Sequence, residues 1–365
     1  MPNFNFKGLK IVGISTAVPS KIVTLESFND IFGEENVKKF SKMTGIKQFR
    51  KVNVKQTASD LGYSAAEHLL EAKKISKESI GMILFISQSP DYRRPPTAYV
   101  LQKRLGISKN CMVMDVNLGC SGFVYGITTI ASIMNSSNID KALLIVAETS
   151  TKSVWPNDKS VAMLFGDAGS AILIEKTGDC KDYINASLYA DGYQYKSIIL
   201  PGGGYRMPDA DNNPFIGKDG CEHTFYHQIM NGLDVFNFSL TDVISSIQVF
   251  LENNKCNIDD YDIFAFHQPN IFILKQIIKK LNINPEKFLI SLDKYGNNSN
   301  ASIPLCLCHN YGNNINSFVG RVLMCGFGTG LSWGIIETVI DTNNIYEIIE
   351  SDDSYDEGIL SKDEI

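Results

Sequence analysis

The chain has 365 residues, of which 44% are hydrophobic and 20% charged, an ordinary globular composition that suggests about two domains or one large duplicated one. From Asp341 onward nine acidic residues face a single lysine, so that segment carries −8 of the overall −6 and the body is near neutral at +2. A near-neutral body excludes the basic footprint of a nucleic-acid binder, and no apolar run approaches the roughly 20 residues of a membrane span. The opening MPNFNFKGLK has no long apolar stretch of the signal-peptide kind. The eight scattered cysteines therefore read as reduced thiols in a cytoplasmic protein. The acidic segment 341–365 is expected to be a poorly ordered tail.

In chain order, GMILFIS (81–87), MVMDVN (112–117), ALLIVAE (142–148) and SAILIEK (170–176) are predicted buried strands. TAYVLQKRLGI (97–107) and SGFVYGITTIASIMN (121–135) are predicted helices between them. This alternation predicts an α/β protein with largely parallel strands. Residues 182–231, rich in Gly, Tyr, Asp and Pro, read as a long excursion of the kind that shapes substrate sites.

The second half repeats the plan. Gly81–Ile107 reads as strand, Gln88-Ser89-Pro90, helix and LGI; Tyr261–Ile283 reads as strand, His267-Gln268-Pro269, helix and LNI. At the same offset the turn holding Cys120 falls on Ser299, and KALLIVAETS corresponds roughly to GRVLMCGFGTG. The chain thus reads as two copies of one α/β unit, 1–180 and 181–340, an architectural duplication rather than a short-period solenoid.

Three positions stand out. Cys120, in DVNLGCSGF, follows a strand and a Leu-Gly turn and precedes a helix, so its sulfur sits where unpaired N–H groups and the helix dipole favour a thiolate. His267 ends the apolar strand IFAF, at the sheet rim where α/β proteins bind ligands. Asn297 lies in DKYGNNSNASIP, where a strand gives way to a Gly-Asn turn and a helix; alone this is a turn signal, and only its alignment with the Cys120 turn marks it. Cys306 and Cys308 lack a second ligand pair and read as core residues. CGFGTGLSWG (325–334) does not open a helix as a dinucleotide fingerprint must, but a backbone N–H there could face an oxyanion.

At these residues the sequence resembles the β-ketoacyl-acyl-carrier-protein synthase III family of the thiolase-like superfamily. The resemblance runs from about Ile11 to Val339, through VPSKIVT, TGI (44–46), DVNLGCSGF, FGDAGSA (165–171), MNGLDVF (230–236), HQPN (267–270), YGNNSNASIP (295–304) and GFGTGLSWG (326–334), in that order. It implies a duplicated five-layer αβαβα fold, a homodimer and a catalytic Cys120–His267–Asn297 set, with the N–H groups of Cys120 and Thr329 as oxyanion hole. It implies acyl transfer from a thioester primer to Cys120, then decarboxylative condensation with malonyl-acyl carrier protein. The expected partners are acyl carrier protein and an acyl-CoA or acyl-carrier-protein thioester; no cofactor, metal, nucleic acid or membrane is expected.

Substrate-binding positions carried over are Lys39, Met43, Lys159, Phe236 and Pro95. Where relatives that use coenzyme A often carry Trp and Arg, this chain has Lys39 and Met43, with Lys159 in place of a further Arg, so the aromatic–Arg clamp on adenine is missing and an acyl-carrier-protein primer gains ground. The alternatives are an acyltransferase of the same fold acting on an alcohol or amine, a degradative thiolase, or a non-catalytic partner subunit.

Overall fold

The computed structural model describes residues 2–313 and 317–364; Met1 and Ile365, the outer limits of the expected units, and residues 314–316 lie outside it. Two sheets form the frame. The larger has six strands in the spatial order Ile345–Glu350, Leu9–Val18, Ala168–Lys176, Lys141–Glu148, Met82–Ile86 and Met112–Val116. The smaller has five, ordered Asn3–Lys7, Tyr183–Ala190, Ser332–Asp341, Val319–Gly328 and Ile263–Phe266. The predicted strands and helices of both halves are present within a few residues of their expected limits, except the strand expected before the Asn297 turn: there Phe288 makes only an isolated bridge to Phe264, and Leu292–Tyr295 is a short helix.

Helices Gly122–Asn135 and Ser302–Tyr311 fill the space between the sheets, packing on strands of both. That explains why they are apolar on nearly all sides: a helix sandwiched between two sheets has no solvent face. Phe123, Ile127, Ile130, Leu305 and Leu307 are fully enclosed in this middle core. Helices Ala58–Ala72 and Thr97–Leu105 cover the outer face of the larger sheet. Helices Gly232–Leu240, Asp242–Asn254 and Ile271–Leu281 cover the smaller one. The result is five layers, αβαβα.

The structure corrects three further expectations. Strand direction is mixed: Met82–Ile86 pairs in parallel with both neighbours, but Ala168–Lys176 runs antiparallel to both of its own. The smaller sheet is antiparallel except where Ile263–Phe266 meets Val319–Gly328. Tyr183–Ala190, read as the start of the excursion, is instead an interior strand, paired on both sides, with Ile184, Ala186 and Ser187 buried. The remaining excursion carries two short two-residue ladders, and one of them, Ile198–Ile199 with Ile229–Met230, borders the site.

The third correction concerns the acidic tail. Ile345–Glu350 pairs in parallel with Leu9–Val18 at the edge of the larger sheet, with Ile345 fully buried. Three of the segment's acids meet cations on the body, in the pairs Arg50–Glu350, Lys55–Asp356 and Lys103–Glu357, while Arg104 and Lys103 face the Tyr355 ring. Net charge over the segment hid an apolar Ile-Tyr-Glu-Ile-Ile alternation that an open sheet edge accepts. The termini also cross over: the first strand, Asn3–Lys7, joins the sheet of the second half, and the last joins that of the first.

Candidate active site

Strand ends from both halves meet around one cavity of about 600 Å³. Cys120, His267, Asn297 and Thr329 all line it. Its apolar wall includes Leu164, Phe165, Ile198, Leu200, Met230 and Ile273, with the excursion supplying three of these six.

Cys120 lies one residue before the N-cap of helix Gly122–Asn135 and is 7% exposed. Burial pushes its thiol up, against hydrogen bonds from the Thr329 backbone, the Ser299 hydroxyl and its own backbone. Desolvation thus works against the thiolate that placement at the start of a helix favours. The N–H groups of Thr329 and Cys120 nevertheless both sit beside the sulfur. Gly328 makes this possible, since a Cβ there would stand 2.6 Å from Cys120 Cβ and 2.8 Å from its sulfur. Gly122 likewise lets Ile86 and Asn300 approach the start of the helix.

His267 continues its strand by donating its N–H to the Cys325 carbonyl, 2.8 Å. The imidazole is buried, meets the Phe327 ring edge-on at 5.5 Å, and is pushed down to about 3 by burial, so it stays neutral near pH 7. Its Nδ1 lies 2.7 Å from Ser302 Oγ, which is itself 2.8 Å from the Ser299 carbonyl. The single hydroxyl proton can satisfy either neighbour. One choice leaves a lone pair on His267 Nε2; the other leaves an N–H there.

Asn297 is held by its backbone, which donates to the Leu164 carbonyl at 2.9 Å. Its Oδ1 accepts from the Ser299 N–H at 2.9 Å, which leaves Nδ2 as the group available to the cavity. Ser299 has a φ of +50°, rare for a residue other than glycine, and places its hydroxyl 3.9 Å from the Cys120 sulfur. The sequence offset had already paired these two positions.

The five carried-over binding residues do not line this cavity. Lys39, Lys159 and Pro95 are exposed, Met43 is 55% exposed, and Phe236 is half-buried in a stack with Phe272. Their neighbours do line it, Arg93 near Pro95 and Val235 beside Phe236. Sequence reasoning named Gln88 and Ser89 only as the counterpart of the His267 turn, and it passed over Glu148 and Asn300. Glu148 had a signal: like His267, it is the polar end of an otherwise apolar strand.

The layering and the paired halves define a thiolase-like fold. The family model described as 3-oxoacyl-[acyl-carrier-protein] synthase III matches residues 114–192, and its C-terminal counterpart matches 251–338. The chain is 33% identical over 328 residues to a β-ketoacyl-[acyl-carrier-protein] synthase III of Clostridium acetobutylicum, covering 89% of this chain and 97% of the relative. It is 34% identical to the Rhodopirellula baltica protein of that name, covering 90% and 98%. A crystal structure of 3-oxoacyl-(acyl-carrier protein) synthase from Burkholderia xenovorans superposes with a TM-score of 0.90 at 32% identity, covering 96% of this chain and 99% of that one. The chain belongs to the β-ketoacyl-[acyl-carrier-protein] synthase III family.

Proposed function

We propose that this protein joins an acyl thioester primer to malonyl-acyl carrier protein by decarboxylative Claisen condensation, with Cys120 as nucleophile and His267 and Asn297 as the other catalytic residues. The observation that carries this reading is the convergence of those three side chains on one cavity, with the Thr329 and Cys120 N–H groups at the sulfur.

In the first stage the Cys120 sulfur attacks the primer carbonyl, and the N–H groups of Cys120 and Thr329 hold the oxyanion. The bond to the donor sulfur breaks, and the proton lost by Cys120 ends on the departing thiol. In the second stage the malonyl carbon–carboxylate bond breaks and CO₂ leaves. The electron pair moves to the enolate, whose oxygen accepts from Asn297 Nδ2 and from His267 Nε2–H. That tautomer requires the Ser302 hydroxyl to donate to Nδ1, and it suits an imidazole that burial keeps uncharged. The enolate carbon then attacks the acyl group, the bond to Cys120 breaks, and the departing thiolate takes a proton from solvent, the one proton the decarboxylative condensation consumes.

The apolar cavity wall suits the acyl chain. The partners proposed are an acyl carrier protein and an acyl-CoA or acyl-carrier-protein primer, in the cytoplasm. A homodimer is also proposed. Strand Met112–Val116 ends the larger sheet with one edge unpaired by any described strand, and Met112 is 44% exposed, which suits pairing with a second copy.

Intact-protein mass after incubation with acetyl-CoA and with a panel of acyl-carrier-protein thioesters tests the acyl-enzyme. An adduct on wild type and none on Cys120→Ala is expected, and malonyl-dependent product then separates condensation from transfer to an alcohol or amine. Equal labelling of both proteins, or no adduct from any donor, overturns the reading.

A further inference from the structure

A buried carboxyl stands beside the nucleophile with no role in the chemistry above. Glu148 closes strand Lys141–Glu148, is 3% exposed and reaches the cavity wall. Its Oε1 accepts from the Gln88 N–H at 2.8 Å and from Asn300 Nδ2 at 2.9 Å; its Oε2 lies 2.8 Å from Ser89 Oγ. Among the described residues no lysine, arginine or histidine pairs with it.

Asn300 is the second half of the cluster. Its Nδ2 lies within reach of three oxygens: Glu148 Oε1, the Ile86 carbonyl at 3.0 Å and the Leu118 carbonyl at 3.4 Å. An amide nitrogen has two protons, so three acceptors compete for them. Among the described residues Asn300 Oδ1 is buried with no partner, so the hydrogen bonds that hold this side chain are the ones its nitrogen donates. Leu118 belongs to the turn that presents Cys120.

We propose that Glu148 and Asn300 form a proton-dependent clamp on the nucleophile turn, one that works with the Glu148 carboxyl uncharged. The proposal rests on the reading of Cys120 as nucleophile. With Glu148 neutral, its proton goes to Ser89 Oγ, and Ser89 can pass its own toward Ser87 Oγ, 3.2 Å away. Asn300 then donates to the Ile86 and Leu118 carbonyls, and Cys120 ionises without a neighbouring anion. With Glu148 charged, the carboxylate draws an Asn300 proton from the turn and opposes the thiolate.

The surroundings favour the neutral form. Burial pushes Glu148 up to about 8, with the charges of Cys120 and Asp167 acting in the same direction. Asp167, itself raised to about 6 by burial, precedes the adjoining strand Ala168–Lys176. The turn brings Cys120; the Gln88–Ser89 segment and residues 299–301 bring only neutral polar groups. Glu148 is thus a positioning residue acting through Cys120.

The test follows the rate of Cys120 alkylation by iodoacetamide against pH in the full-length protein, with peptide mapping to separate Cys120 from the other thiols. Glu148→Gln is expected to lower the midpoint by about one pH unit, since interacting acids titrate as a pair. Ser89→Ala, which removes a donor to the carboxylate and so favours the acid, is expected to lower it by less, and it stands in if Glu148→Gln does not fold. An unchanged or raised midpoint in the folded variant overturns the clamp. Thioester acylation of wild type is run alongside. Adducts with an unmoved midpoint remove the clamp alone, whereas no adduct from any donor removes the acyl-enzyme reading whatever the midpoints do.

Discussion

The two halves place the same turn at the same cavity and equip it differently. Cys120 and Ser299 are separated by 179 residues, as are Gln88 and His267, and their side chains line one cavity with Cys120 Sγ and Ser299 Oγ in contact. On the neighbouring strands the first half contributes Glu148 and the second Phe327. The consequence is electrostatic. Glu148 is bound by neutral donors and raised to about 8, while His267 packs against an aromatic edge and is lowered to about 3. Both groups are kept neutral near pH 7, for opposite reasons of sign but one reason of physics, the cost of a buried charge. The duplication builds the chamber, and the differences between the copies build the chemistry.

Erasing the difference at the nucleophile has the largest expected effect. Cys120→Ala should leave no acyl adduct and reduce condensation about 10⁴–10⁶-fold, read by intact mass and product formation. Giving the second half the residue of the first comes next. His267→Gln should still accept an acyl group on Cys120 but condense about 10²–10³-fold more slowly, the worth of one donor to a developing oxyanion. Burst amplitude measured separately from turnover checks that split.

How much of this could be read from the chain depended on which signal each residue left. The nucleophile turn, the His267 strand end and the offset between halves are local patterns of a few residues, so they were legible, and the offset alone brought Ser299 to Cys120. Glu148 was not singled out because a glutamate ending a strand looks like an exposed rim residue until the second half covers it. Asn300 was hidden inside a turn motif whose asparagines all read alike. The acidic tail misled because its charge dominates its composition, whereas the strand Ile345–Glu350 depends on an open edge far away in sequence. Lys39, Met43, Lys159, Phe236 and Pro95 were placed by resemblance alone, which does not say which way a side chain on a helix (Lys39, Met43, Phe236) or in a loop (Lys159, Pro95) turns.

The opposed titrations make a third prediction, smaller and visible in stability. Glu148 has a raised folded-state value, so its contribution is present below about 4.5 and is lost as pH rises through about 8. His267 has a depressed one, so its contribution is present above about 6.5 and is lost as pH falls through about 3. Denaturant midpoints of Glu148→Gln should therefore fall less than wild type between about pH 5 and 8, and those of His267→Gln less below about pH 6.5. A single slope change shared by both variants would break the comparison.

The smallest effect is expected at Ser299, the counterpart of Cys120 itself. Its hydroxyl is a weak donor to sulfur at 3.9 Å, one of several groups that oppose burial there. Ser299→Ala removes that donor but keeps the N–H that orients Asn297 Oδ1. The Cys120 alkylation midpoint should then rise by about half a pH unit, in line with the roughly 0.5–1.5 kcal/mol net worth of a neutral hydrogen bond. Turnover should change by less than about tenfold. The direction is what matters: Glu148→Gln lowers the same midpoint, so two substitutions on opposite halves move one thiol in opposite senses. If Ser299→Ala lowers it too, the second-half turn acts on Cys120 only through packing, and the electrostatic asymmetry belongs to the first half alone.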